Sequence, residues 1–171
     1  MVGKVFKVGL VGDSKVGKTC LLHQFFLDSK IEERENVPIF RAAYSPTIGV
    51  DYRTGVWYGR VGDYTLQIWD CSGHVKYRDL VRSVFPHLDG LILVFDIHNR
   101  KSLLSALFYW LEEVQKKSSR ITDLKSSTML LGTQSDIDSL DEAVTEEEQD
   151  ERAMRAGIPF SVTLPPTLVW Y

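Results

Sequence analysis

Gly12-Asp13-Ser14-Lys15-Val16-Gly17-Lys18-Thr19 is the stretch that decides the fold. It has the spacing G-x-x-x-x-G-K-[ST]. The glycines let the backbone curl round phosphate oxygens with its N–H groups turned inward. Lys18 is placed to reach terminal phosphates, and the Thr19 hydroxyl to bind Mg²⁺. Upstream, Val5 to Val11 reads as an apolar strand. Downstream, Lys18 to about Asp28 reads as a helix, whose positive end adds to the anion site. A chance glycine-rich turn is the bland alternative, and the strand before it and helix after it argue against that. By itself the motif specifies a nucleotide phosphate and no particular base.

Outward from this loop, short apolar runs alternate with longer amphipathic ones. Ile31 to Pro46 is irregular and charged, broken by Pro38 and Pro46. Val50 to Trp57 and Tyr64 to Trp69 read as a strand hairpin with a turn over Tyr58 to Asp63. A helix is expected from about Val75 to Phe85, stopped by Pro86. Gly90 to Asp96 is continuously apolar, as a strand buried on both faces should be. Ser102 to Lys117 sets Leu103, Leu104, Leu107, Trp110, Leu111 and Val114 on one helical stripe. Thr128 to Gly132 reads as another buried strand. Thr145 to Ala156 reads as a helix with Thr145 and Glu148 as a capping box. Gly157 closes it, and Ile158 to Thr163 is a last strand. Such alternation predicts an α/β fold: three layers, α/β/α, round a mostly parallel sheet.

The chain has 171 residues, 44% of them hydrophobic and 25% charged, which is the composition of one globular domain over 1–171. Its net charge of −3 argues against a broad electrostatic nucleic-acid binder. Cys20 and Cys71 are too few for a disulfide framework and fit a reducing compartment. No apolar run approaches the roughly 20 residues of a membrane span. There is no signal-like start and no C-terminal cysteine for prenylation in the chain as given. The expectation is therefore a soluble, cytoplasmic domain without its own membrane anchor.

A second chemical signal is Trp69-Asp70-Cys71-Ser72-Gly73 at a strand end. Asp70 can reach the Mg²⁺ site from a second strand, and the Gly73 amide can face a terminal phosphate. With Pro46-Thr47-Ile48-Gly49 between the two motifs, the sequence resembles the Ras superfamily of small GTPases, its Rab branch above all. The matching runs also include Val50-Asp51-Tyr52, Leu66 to Asp70, Lys76-Tyr77-Arg78 and Leu93 to Asp96, within about residues 4 to 160. The resemblance implies a P-loop NTPase, Ras-like fold that binds GTP or GDP with Mg²⁺. Asp13, Ser14, Lys15, Val16, Gly17, Lys18, Thr19 and Cys20 would line the phosphates. Thr19, Thr47 and Asp70 would serve the metal. Thr47 and Gly73 would close on the γ-phosphate, and loss of that phosphate would release both loops. Phe40 falls where the family stacks an aromatic on guanine, and Tyr44 where a tyrosine lids the phosphates. Lys18, Thr47, Gly73 and His74 are the candidate catalytic set for hydrolysis of GTP to GDP and phosphate.

The chain departs from that pattern at four places. His74 replaces the glutamine that orients the attacking water, so slow hydrolysis is expected; an exposed loop histidine without that role is the open alternative. Gly132-Thr133-Gln134-Ser135-Asp136 stands for N-K-x-D. Asp136 can accept from guanine N1 and the exocyclic amine. Thr133 replaces the asparagine that ties this loop to the phosphate loop, and Gln134 offers less stem to cover the base. The segment 29–39 before Phe40 is longer than usual and reads as a solvated loop or a partner-specific element. The tail 161–171 carries Pro165 and Pro166 where a long final helix should begin. That leaves a sheet face uncovered. Either Leu168, Val169 and Trp170 fold back on it, or the chain is a truncated product that folds poorly.

By the resemblance, partners are exchange factors, activators and effectors of vesicle trafficking. They would read residues 40–52 and 74–82 on a monomer, which would meet endomembranes through them. The alternative is a catalytically impaired interaction module on the same fold. A small-molecule kinase is disfavoured because no arginine cluster forms a lid.

Overall fold

The computed structural model describes residues 4–28, 46–59, 62–117, 126–135 and 144–164. Strand β1 (Lys4–Val11) leads through the phosphate-loop sequence into helix α1 (Lys18–Asp28). Strands β2 (Val50–Gly59) and β3 (Gly62–Cys71) form an antiparallel pair. A 3-10 turn (Val75–Tyr77), the short helix α2 (Arg78–Arg82) and a second 3-10 turn (Phe85–His87) lead to β4 (Gly90–Asp96). Helix α3 (Arg100–Ser105) runs through a π turn (Ala106–Trp110) into α4 (Leu111–Lys117). Strand β5 (Thr128–Thr133), helix α5 (Glu146–Ala156) and strand β6 (Phe160–Thr163) complete the order.

The strands make one sheet in the order β2-β3-β1-β4-β5-β6. Only β2 is antiparallel. The expected α/β class with a mostly parallel sheet is what the chain forms. Register places the site. Leu10 pairs with Asp70 and Val11 with Leu93. Asp96 pairs with Thr133. The carboxyl ends of β1, β3, β4 and β5 thus finish side by side. The chain leaves β1 for neighbours on both sides, the point where an open α/β sheet forms its crevice.

Two apolar layers hold the sheet. On one face Val11, Leu91, Leu93, Phe95 and Leu130 pack under Leu103, Leu107, Trp110 and Val114 of α3–α4, with Val81, Phe85 and Ala153. On the other, Leu10, Ile68, Val94 and Leu131 pack under Leu22 and Phe26 of α1. The amino-terminal part of that second face is an open cavity of about 330 Å³, lined by Phe6, Val8, Leu66, Ile92, Met129 and Phe160 among others. The expected tail residues 165–171, and the expected loop 29–39, lie outside the described residues.

Several expected boundaries move. The hairpin strands extend to Gly59 and start again at Gly62, so the turn is tighter than Tyr58 to Asp63. The single helix expected over 75–85 is three short turns, and Pro86 sits inside the last one. Proline lacks an N–H that the first turn of a helix does not need, so it starts this turn instead of stopping the previous one. Thr145 accepts the Glu148 N–H at 3.2 Å, as a cap should. Glu148 does not return the bond; its carboxylate holds Arg100 and Arg152. Gly157 closes α5 in the left-handed region at φ 72°. No helix among the described residues is long and apolar enough to cross a membrane.

Candidate functional site

The phosphate-loop sequence bridges β1 and α1 at the centre of the crevice. Gly12 comes so close to β4 that a Cβ there would lie 2.2 Å from the Val94 carbonyl oxygen. Lys18 is 6% exposed. Its ammonium donates to the carbonyls of Gly12 at 3.0 Å and Asp13 at 2.5 Å. Burial lowers its pKa to about 8, against the pull of Asp70. A buried ammonium held only by carbonyls gains from an anion laid beside it.

Beside it, three oxygens converge from three segments. Thr19 Oγ1 donates to Asp70 Oδ2 at 2.5 Å, and Thr47 Oγ1 to the same oxygen at 3.1 Å. The two hydroxyls are 2.8 Å apart. Burial raises the Asp70 pKa, while the Thr19 bond opposes that rise. Asp70 Oδ1 is buried without a hydrogen-bond partner. Two hydroxyls and a carboxylate are hard oxygen donors, and the orphaned Oδ1 is a buried acceptor whose charge no hydrogen bond satisfies. This set fits Mg²⁺, which takes few protein ligands and fills its shell with water and phosphate oxygens. Among the described residues no group of three or more His, Cys, Asp or Glu forms a metal cluster. A hydroxyl-rich site is not of that kind.

Gly73 touches the loop from the far side. A Cβ there would lie 2.3 Å from Asp13 C and from Ser14 N, and 2.6 Å from Asp13 O. Only a residue without a side chain allows this approach. Next to it, His74 is exposed and caps the following 3-10 turn: its Nδ1 accepts the Lys76 N–H at 3.1 Å. With Nδ1 accepting, the neutral ring carries its proton on Nε2 and can only donate to a water. The structure therefore gives His74 a capping role that neither sequence reading contained.

At the β5 end of the crevice, Thr133 and Gln134 tie that strand's end to the phosphate-loop sequence. Thr133 Oγ1, buried, shares its proton between the carbonyls of Val16 (2.7 Å) and Phe95 (2.9 Å). Gln134 Nε2 donates to the Lys15 carbonyl at 2.9 Å. Both residues at this junction, Lys15 (φ 70°) and Gln134 (φ 66°), have left-handed backbones. Thr133, which stands in place of the asparagine expected there, makes a tie of its own to the phosphate loop, because β5 delivers its hydroxyl against the Val16 carbonyl. His98 joins this junction. It is partly buried, and its Nε2 meets the Gln134 carbonyl at 3.1 Å. His23 instead faces Arg53 at 3.1 Å, and His87 is exposed at the end of its turn. Cys20 is half-buried and Cys71 buried; burial raises both thiols, Cys71 to about 12. Phe40, Tyr44 and Asp136 lie outside the described residues.

Sequence reasoning missed Ser105 and Trp110. Both donate to Asp13 Oδ1, each at 2.8 Å. Trp110 was legible only as one more apolar residue on its stripe, although a buried indole N–H needs an acceptor.

A family model described as the Ras family matches residues 7–164. Ras-related protein Rab-26 of Rattus norvegicus is 34% identical over 159 residues, 92% of this chain and 56% of that protein. Ras-related protein RABD2a of Arabidopsis thaliana is 32% identical over 159 residues, 93% of this chain and 70% of that protein. GTP-binding protein YPTM2 of Zea mays is 31% identical over 159 residues, with the same two shares. The chain spans about half the length of the Rab-26 proteins it matches.

Proposed function

The chain belongs to the Ras family and is Rab-like within it, and from that premise we propose that it is a GTP/GDP switch of vesicle trafficking that hydrolyses GTP slowly. The observation that carries this reading is the convergence of buried Lys18 with Thr19, Thr47 and Asp70 at one end of the sheet. Lys18 binds the terminal phosphates, and the backbone from Asp13 to Cys20 wraps them. Thr19, Thr47 and Asp70 hold Mg²⁺, which when bound neutralises phosphate charge. Thr47 follows Pro46 in a segment that, among the described residues, this hydroxyl and the Gly49 carbonyl, which accepts the Ser72 N–H, help tie to the site. It is the part free to respond to a γ-phosphate. Phe40 and Asp136 complete the nucleotide site on the base side and Tyr44 lids the phosphates, with Thr133 and Gln134 bracing the loop that carries Asp136.

Ile48, Tyr52, Val75 and Leu80 are exposed apolar residues in the two segments next to that phosphate. They support docking of exchange factors, activators and effectors at 40–52 and 74–82, where contacts follow the bound nucleotide.

Slow hydrolysis follows from His74. A water is turned for attack by a group that both donates and accepts, and His74 uses its acceptor on Lys76 N–H. The same observation favours a second reading, an interaction module that binds nucleotide and does not hydrolyse it. Equilibrium titration with fluorescent GDP, GTP and ATP in Mg²⁺, followed by single-turnover phosphate release, separates the readings. The switch reading expects guanine nucleotides to bind in preference to ATP, and release that is slow but faster in His74→Gln. Binding without any release in either protein supports the module. No binding at micromolar nucleotide overturns both.

A further inference from the structure

Three parts of the molecule meet at Asp13. Its carbonyl accepts from Lys18 Nζ, and its peptide lies against Gly73. Its carboxylate Oδ1 takes two bonds from one helix, Ser105 Oγ and Trp110 Nε1. Those two donors are five residues apart. In an α-helix such a spacing points them in different directions, since the turn holds 3.6 residues. Here the turn Ala106–Trp110 is π, with the Leu111 N–H bonded to the Ala106 carbonyl. The wider turn lets residues i and i+5 reach one atom. π turns of this kind commonly mark functional positions.

The same turn faces α2. The Tyr109 ring lies edge-on to Trp110, with centroids 5.0 Å apart. Arg78 of α2 sits over the Tyr109 ring at 4.3 Å. Arg82 of α2 donates to Glu113 at 2.5 Å and to the Tyr109 hydroxyl at 3.5 Å. An unbroken run of contacts therefore leads from α2 through Tyr109 and Trp110 to Asp13 and Lys18. It ends at the loop whose backbone must hold phosphate.

We propose that Ser105 and Trp110 are positioning residues that set the phosphate loop through Asp13, and that their π turn carries the setting of residues 74–82 to that loop. The reading of the loop as a nucleotide site is the one proposed above. A partner that lifts α2 off Tyr109 and Glu113 would thereby loosen Asp13 and speed nucleotide release. It would do so without touching the nucleotide.

Two measurements test this, one of them independent of nucleotide. In ¹⁵N-labelled protein the Trp110 indole N–H should be a slowly exchanging resonance that Ser105→Ala perturbs. Arg82→Ala, which touches neither Trp110 nor Asp13, should shift the same resonance. If Arg82→Ala leaves it in place, transmission through the turn is wrong, whatever the protein binds. In the second measurement, release of fluorescent GDP should quicken about fivefold or more in Ser105→Ala and in Trp110→Phe, and return toward the wild-type rate in Ser105→Thr, which restores a hydroxyl. Release should quicken while the melting temperature of Ser105→Ala moves little. An unchanged release rate in both variants overturns the positioning role. Absence of GDP binding in wild-type protein overturns the switch reading and leaves the indole measurement to decide this one.

Discussion

The two ends of the crevice are built differently. At the phosphate end, Lys18, Thr19, Thr47 and Asp70 come from a contiguous motif and two strand-linked segments, and every partner is a backbone carbonyl or a neighbour in the same set. At the end proposed for the base, Thr133 and Gln134 stand in place of the family's asparagine and lysine and donate to the Val16 and Lys15 carbonyls, and His98 meets the Gln134 carbonyl. Phosphate is recognised by backbone shape and charge, which allow little choice of residue. A base loop only has to be held in place, and a threonine and a glutamine can hold it by donating to the Val16 and Lys15 carbonyls. The difference predicts that substitutions at the phosphate end remove binding, while those at the base end weaken it.

The largest effect is expected for Lys18→Ala. On the proposed reading this buried ammonium gives charge-assisted bonds to phosphate, and losing it should lower nucleotide affinity at least about 100-fold. Titration with fluorescent GDP measures it, and a change below tenfold would break the contrast between the two ends.

A smaller effect is expected for Thr133→Val, an isosteric change. It leaves the buried carbonyls of Val16 and Phe95 without the hydroxyl proton, at a cost of about 1–3 kcal/mol. Urea unfolding should show that loss in ligand-free protein, with nucleotide affinity reduced but retained. Unaltered stability would mean that the hydroxyl is not the tie between the two loops.

How far the sequence could be read follows the same contrast. The phosphate loop, β1, α1 and the buried β4 were legible because their signals are local: fixed glycine spacing, a helix start, an unbroken apolar run. The α2 region was not. Residues 75–87 carry a helical composition, but each turn is set by what it packs on, and Pro86 reads as a stop when it is a start. Trp110 and Ser105 were invisible as a pair because the π turn that unites them has no signature in their spacing. The Thr133 tie is not legible because its partner lies 117 positions away, and the register of β5 on β4 brings them together.

The smallest effect lies away from the crevice, at α5. Hydrogen bonds from Arg100 and Arg152 hold the Glu148 carboxyl below its usual 4.5. A depressed carboxylate contributes stability above its unfolded pKa and loses it as pH falls through the folded value. Arg100→Ala should therefore cost less than about 1 kcal/mol at pH 7, and the difference from wild type should shrink below about pH 4. Melting temperatures across pH 3 to 7 check both the size and the sign. A gap that widens in acid would contradict the assignment.

The central claim is that the crevice is a guanine-nucleotide site whose phosphate end is intact. Identification of the nucleotide that co-purifies with the natively prepared protein, by denaturation and chromatography, tests it most directly. The account predicts GDP or GTP at close to one per chain, lost in Lys18→Ala. Adenine nucleotide in its place, or protein that folds and carries none and takes up none on addition of GDP and Mg²⁺, would contradict it.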